Sequence, residues 1–377
     1  MNDTKAILTG MTYGEIRDLV LSLGEPEYRV KQLRSWIYRG LAFSFNEMTN
    51  LPLSFRHELE KVSRLHSLDV THLQVGHDGT IKALFTLADG ETIESVFMSY
   101  AKRNTVCVST QAGCAIGCPF CATGQQGFRR NLTTGEIIDQ VLYFARYLKD
   151  KGTEGISNVV FMGMGEPLAN YEALWHAIEI LNAPDGYGLG ARNMTISTCG
   201  LVPQIKLLGK EKIQVGLAVS LHAADDALRN WLVPVNRKHP LKELIAACKE
   251  YFTATGRRVS FEYILFKDVN DSLSQARELA HLVQGMNCHV NLIAANPTAD
   301  KAFQPPSPRE VLAFEKELAR LRISATLRQP RGQDIDAGCG QLRARALKNT
   351  EKGSHKKDGT GIVRGTVLHP QRKENRT

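Results

Sequence analysis

From Tyr13 to Val62 apolar positions recur at helical spacing: Tyr13 to Leu23, then Tyr28 to Tyr38 with Val30, Leu33, Trp36 and Ile37 on one stripe, then Leu53 to Val62. This predicts a small helical domain over residues 1–70. Between Leu68 and Met98 the pattern turns to alternation, with His77-Asp78-Gly79 and Ala88-Asp89-Gly90 as turn signals, which predicts a β-hairpin. Beyond it, short β-rich runs alternate with helical patterns. The runs are Thr105 to Ser109, Asn158 to Met162, Met194 to Ser197, Val215 to Leu221, Val259 to Phe266, His289 to Ile293 and Ile323 to Leu327. Between them lie helical stretches such as Ile137, Ile138, Val141, Leu142, Ala145 and Leu148, or Val311 to Leu321 with Ser307 as cap and Pro308 in the first turn. Repeated strand-helix units imply an α/β fold with a parallel sheet and crossover helices, and about six of them suit a partial (β/α)6-type barrel better than a closed one of eight. The hairpin and these units form one domain over 71–345, followed by a tail over 346–377.

Composition narrows the class. A chain of 377 residues, 43% hydrophobic, can build one large core and a smaller one beside it. No run approaches the roughly 18 apolar residues of a spanning helix, and the first residues lack a secretory signal, so we expect a cytoplasmic protein without a membrane partner. The net charge of +8 and pI near 9.0 suggest a polyanionic partner. That charge is concentrated: from Arg343 onward ten Lys and Arg face three Asp and Glu, while up to Arg64 nine basic residues nearly balance eight acidic ones. Such a tail is expected to be disordered, serving either as a solvated end or as a grip on phosphates. Eight cysteines in a reducing cytoplasm should not form structural disulfides.

Three of those cysteines fall within eight residues. In Gly113-Cys114-Ala115-Ile116-Gly117-Cys118-Pro119-Phe120-Cys121 they follow a strand at its carboxyl end, where barrel folds place their chemistry. Three thiolates can hold three irons of a 4Fe-4S cubane and leave the fourth iron open, whereas an electron-transfer ferredoxin site would supply a fourth cysteine. A zinc site would call for paired Cys-x-x-Cys or histidines at fixed offset, which are missing. The spacing Cys-x-x-x-Cys-x-aromatic-Cys resembles the signature of radical S-adenosylmethionine (SAM) proteins, in which the open iron chelates SAM. The next strand ends in Gly163-Met164-Gly165-Glu166-Pro167, weak alone, but resembling the turn that holds the SAM amino group in that superfamily.

Longer segments narrow the resemblance. CAIGCPFCATGQQGFRRNL at 114–132, GMGEPLANY at 163–171, SLHA at 220–223, NLIAANP at 291–297 and DIDAGCGQL at 334–342 closely resemble the bacterial dual-specificity RNA adenine-C2 methyltransferases. The resemblance runs from about residue 10 to 345 and includes Trp36-Ile37-Tyr38 and Met48 to Pro52. It implies a 4Fe-4S cluster on Cys114, Cys118 and Cys121, and SAM contacts at Gly165, Glu166, Ser197, Ser220, Leu221, His222 and Asn296. Two positions depart from the family pattern: Cys199, and Ala294-Ala295 before Asn296.

C2 of adenine is not nucleophilic, so polar methyl transfer from SAM has no favourable route. The resemblance implies a radical one using two SAM molecules per turnover, in which Cys339 carries the methyl group and Cys107 resolves the adduct through a transient disulfide. Glu94 matches the family's proton acceptor. Read without the family, Cys107 would be a buried strand cysteine and Glu94 an outward strand carboxylate. Cys248 and Cys288 fit core positions. The implied substrates are an adenine of 23S rRNA at the peptidyl-transferase centre and the adenine 3′ of the anticodon in tRNA, with a flavodoxin- or ferredoxin-type electron donor and a monomeric enzyme. The helical domain becomes an RNA-binding candidate. Two alternatives stand: a C8-specific 23S rRNA adenine methyltransferase with the same five cysteines, and a non-catalytic iron-sulfur RNA-binding protein. The second would need neither Cys107 nor Cys339.

Overall fold

The computed structural model describes residues 5–296, 301–329 and 331–335. Cys339 and the basic tail lie outside the described residues.

The chain enters on the short strand β1 (Ala6–Ile7). Helices α1 (Tyr13–Ser22), α2 (Tyr28–Tyr38) and α3 (Leu53–Val62) follow, and β2 (Ser63–Arg64) pairs parallel with β1. Thr12 and Glu15 form a capping box that starts α1 by satisfying two free N–H groups. Polar contacts seat this layer on the rest of the molecule. Arg34 Nε meets Asp185 at 2.7 Å, Arg146 Nη1 meets Glu47 at 2.8 Å, and the Asp139 carboxylate accepts from both Ser67 N–H and Oγ and faces His66 Nδ1. A Cβ on Gly10 would come 2.5 Å from Gly135 N, so only glycine lets the chain start lie this closely on the helix that begins at Thr134.

Among the described residues one sheet of ten strands forms the body. Strands β3 (Asp69–Val75), β4 (Ile81–Thr86), β5 (Thr92–Tyr100) and β6 (Arg103–Cys107) run antiparallel in sequence. The alternation read as a hairpin is thus three strands joined edge to edge with the main sheet, because both Asp-Gly signals made tight turns. Strands β7 (Gln111–Gly113) and β8 (Phe128–Asn131) form a separate small hairpin with the helix α4 (Ala122–Gln125) between them. The sequence reading missed this hairpin.

From there strand-helix units repeat: α5 (Thr134–Asp150), β9 (Asn158–Phe161), α6 (Tyr171–Asn182), β10 (Met194–Thr198), α7 (Val202–Leu208), β11 (Gly216–Ser220), α8 (Asp226–Leu232), α9 (Leu241–Thr255), β12 (Val259–Leu265), α10 (Leu273–Leu282), β13 (Cys288–Ala294), α11 (Pro308–Arg320) and β14 (Ala325–Leu327). Ser307 caps α11 with Pro308 in its first turn, as the sequence indicated. Strands β6, β9, β10, β11, β12, β13 and β14 are parallel neighbours in that order, and among the described residues the sheet does not close on itself. This is the expected partial barrel.

The two faces of the parallel strands differ. Val106, Phe161, Ile196, Leu217, Phe261 and Val290 are fully buried beneath the helices, together with Cys248. Cys288 is buried too. The alternate positions carry Cys107, Ser197, Ser220, Glu262 and Asn291. Side chains alternate with period two, so one face stays largely polar. Parallel sheets covered on both sides usually read as unbroken apolar runs, and the departure marks the side that carries chemistry.

Candidate functional site

The three-cysteine loop is held at its neck by β7 and β8. Gly113 has φ +75°, and a Cβ there would lie 2.0 Å from Gly127 O, so glycine is required for the strands to meet. Cys114 N–H donates to that same oxygen at 3.0 Å. Within the loop Cys121 N–H donates to Cys118 O at 3.1 Å, and α4 begins at the next residue. Cys114 and Cys118 are buried and Cys121 half-buried. Phe120 packs between His222 and Phe266, each with ring centroids 5.2 Å away, and beside Phe303.

Burial pushes the Cys114 thiol up to about 12, and the nearby Cys121, Glu166 and Cys118 add to the effect. Such a thiol keeps its proton until a metal replaces it. Among the described residues no three His, Cys, Asp or Glu side chains converge on one point as ligands of a single ion would. A cubane takes one thiolate at each of three separate irons, and three neighbouring cysteines in one loop walled by Phe120 supply that set.

The glycine turn after β9 is knitted to the root of that loop. Met164 O accepts from Thr110 N–H and Gln111 N–H, and Gly163 N–H donates to Val108 O. Gly165, at φ +100°, lies where a Cβ would come 2.5 Å from Gln111 Cβ. Gln111 Oε1 accepts from Glu166 N–H at 2.8 Å while its Nε2 donates to Asn131. The Glu166 carboxylate is buried and accepts from Leu168 N–H at 3.1 Å and from Cys199 N–H at 2.7 Å. Burial raises its pKa. Glu166 therefore braces the turn against the end of β10.

Ser197 and Ser220 stand at the carboxyl ends of adjacent parallel strands. Leu221 N–H continues the ladder to Glu262 O at 3.0 Å. His222 then takes a left-handed backbone conformation, φ +61°, rare for a residue with a side chain. Its Nδ1 accepts from Ile264 N–H at 3.1 Å and its carbonyl accepts from Asn270 Nδ2 at 2.8 Å. Burial holds its pKa down at about 3, with Arg229 as second cause, so the ring is neutral and its proton sits on Nε2. Asn296 is exposed just beyond β13.

Cys107 and Glu94 come together through strand register. Cys107 pairs across from Val96, so Glu94, two residues along, shares its face, opposite the face where Phe97 stacks on Phe144. Ser109 Oγ donates to Glu94 O at 2.5 Å. Glu94 is buried and Cys107 half-buried, so neither is an outward surface group.

Three participants were missed in the sequence. Gln111 gave no signal. Cys199, noted there only as a departure, lies in hydrogen-bonding contact with Cys118; this contact and burial push its thiol well above the ordinary range. Arg229 is fully buried on α8. A charged residue at position i before the apolar Leu232 and Val233 was the available signal.

A partial parallel barrel with this three-cysteine loop and glycine turn defines a radical SAM protein, and residues 108–280 match the radical SAM superfamily model. Residues 7–65 match the N-terminal domain of ribosomal RNA large subunit methyltransferases. A probable dual-specificity RNA methyltransferase RlmN from Pelotomaculum thermopropionicum is 49% identical over 335 residues, covering 88% of this chain and 90% of its own length. A counterpart from Staphylococcus carnosus is 45% identical, covering 90% and 93%. A crystal structure of a radical SAM methyltransferase from Sphaerobacter thermophilus superposes with a TM-score of 0.87 at 48% identity, covering 89% of this chain and 98% of that one. The chain belongs to the RlmN family of dual-specificity RNA methyltransferases.

Proposed function

We propose that this chain is a SAM-dependent methyltransferase that places a methyl group on C2 of adenine in ribosomal and transfer RNA. The observation that carries the reading is the shared face of Glu94 and Cys107 on β5 and β6, beside the carboxyl end of β6, which leads through β7 into the three-cysteine loop. A non-catalytic iron-sulfur protein has no use for that pair.

Cys114, Cys118 and Cys121 would hold the 4Fe-4S cluster, and SAM would lie across Gly165, Ser197, Ser220, Leu221, His222 and Asn296. When bound, the cluster supplies one electron to the SAM sulfonium, opening it to a 5′-deoxyadenosyl radical. The Glu166 carboxylate, held by main-chain N–H groups, would fix the turn on which the SAM amino group rests. The neutral His222 offers an N–H donor at Nε2. Phe120, Phe266 and Phe303 keep water from the loop. Cys339 would carry the methyl group from the first SAM. Once the 5′-deoxyadenosyl radical has taken a hydrogen atom from it, the carbon has bonded to C2 and the adduct has lost one electron, Glu94 would accept the proton leaving C2. Cys107 would then attack the Cys339 sulfur, forming the S–S bond and breaking the C–S bond, whose electron pair stays on the carbon and takes a proton to give the methylated base. The donor is of flavodoxin or ferredoxin type, and the helices of residues 1–70 contribute to RNA binding.

The test uses the order of those steps. Cys107→Ala should build the carbon bridge and stall as a covalent protein-RNA complex linked through Cys339. In denaturing gels it would run as a slow band that RNase trims and reductant leaves intact, since a thioether resists reduction. A Cys107→Ala protein that turns over normally with no trapped RNA would remove Cys107 from the reaction.

A further inference from the structure

Arg229 lies outside every role assigned above, yet it is fully buried behind the site. Its Nε donates to Leu221 O at 3.0 Å, one Nη to Cys199 O at 2.7 Å and Ser220 O at 3.1 Å, and the other to Asn236 Oδ1 at 2.7 Å. These four bonds end on neutral oxygens. Asn236 is itself held by Asp226 and Asn230 at 2.8 Å each. The carboxylate on the far side, Glu166, reaches Arg229 only through the main chain of Cys199, whose N–H it accepts while Arg229 takes the carbonyl.

Burying a guanidinium without a directly paired carboxylate is costly, and a planar fork reaching three strand-end carbonyls is an arrangement that lysine cannot copy. Those carbonyls belong to the ends of β10 and β11, beside Ser197, Ser220, Leu221 and His222. We propose that Arg229 is a positioning residue that ties these two strand ends into one SAM-binding surface and, by its buried charge, raises the reduction potential of the cluster that Cys114, Cys118 and Cys121 would hold. The inference rests on the cluster and SAM reading above. Arg229 donates to the Cys199 carbonyl, and the Cys199 side chain is hydrogen-bonded to Cys118, so the charge stands one residue away from a cysteine of the loop. Although burial lowers the Arg229 pKa to about 10, the group remains a cation at neutral pH. A positive charge held in a poorly solvated interior favours the more negative, reduced cluster.

The experiment compares the anaerobically reconstituted full chain with its Arg229→Lys, Arg229→Gln and Asn236→Ala variants. SAM affinity is read from the perturbation of the reduced cluster's EPR spectrum, and the reduction potential from a redox titration. Wild-type protein must first take up iron at about four per chain; if it does not, the cluster reading itself has failed. Arg229→Lys keeps the charge and loses the fork, so it should bind SAM about tenfold more weakly at a nearly unchanged potential. Asn236→Ala, which frees one Nη and spares the charge, should do the same to a smaller degree. Arg229→Gln should lose affinity and also lower the reduced-to-oxidised ratio about tenfold at fixed potential, about 59 mV for a one-electron couple. Equal potential shifts in the Lys and Gln variants, or wild-type SAM affinity in Arg229→Lys, would overturn the proposal. Should Arg229→Gln fail to take up iron, SAM affinity in Arg229→Lys still decides.

Discussion

Among the described residues two apolar clusters are built to different rules. The larger runs between the sheet and its helices, with residues such as Phe144, Phe161, Phe261 and Leu292 at essentially no exposure and aromatic pairs such as Phe97 on Phe144 at 5.9 Å. The smaller gathers Cys118, Leu232, Val233, Phe266, Ala295 and Phe303, with Phe120, Cys121 and Cys199 packed against it. In its neighbourhood are a neutral buried histidine, a buried arginine, a buried carboxylate and thiols pushed up by burial. The first cluster is filled to maximise removal of apolar area from water. The second accepts buried polar groups that cost stability, each answered by main-chain hydrogen bonds. Stability and chemistry are thus separated in space, and mutations in the two should have opposite profiles.

The largest effect should come from Cys118→Ala. Anaerobically reconstituted variant protein should lose the iron and visible absorption of the wild type and all RNA methylation, while the urea midpoint of the metal-free protein stays close to the wild type's. A variant that kept its iron and full activity would break the assignment of the loop. Phe261→Ala should show the reverse profile, costing about 3–5 kcal/mol in urea unfolding through a cavity between sheet and helices. Protein that remains folded should keep a spectroscopically normal cluster. A lost cluster at intact fold would show that the two regions are coupled after all.

The smallest effect sharpens the comparison at a third place, where the helical layer meets α5. Burial alone would lower the His66 pKa, but the hydrogen bond and charge of Asp139 outweigh it and raise it. A raised folded-state value means the protonated His66 stabilises the fold fully below its unfolded pKa of about 6.5, and that stabilisation fades as pH rises through the folded value. The stability gap between wild type and His66→Gln should therefore be about 1 kcal/mol at pH 5.5 and shrink by pH 9, with the iron content of reconstituted protein unaffected. A constant gap across that range would mean that the ion pair contributes nothing.

Several features of this protein were set by sequence alone. Helices α2 and α3 and the cap of α11 follow from local periodicity and local hydrogen bonding, and the parallel strands from short β-rich runs between helical stretches, all contained within a few residues. The three-cysteine loop was legible because its ligands lie within eight residues and need no fold to bring them together. Other features depended on partners distant in the chain. The β3–β5 segment became part of the main sheet through β6, and Glu94 met Cys107 by strand register, not by spacing. Glu166 became a brace only when β10 placed Cys199 N–H before it, and Arg229 joined Cys199 of the β10–β11 connection to Ser220, Leu221 and Asn236 at the end of β11 and in its own connection. Short-range order is encoded residue by residue, whereas the burial that shifts a pKa or strands a charge exists only once separate segments have displaced the water between them.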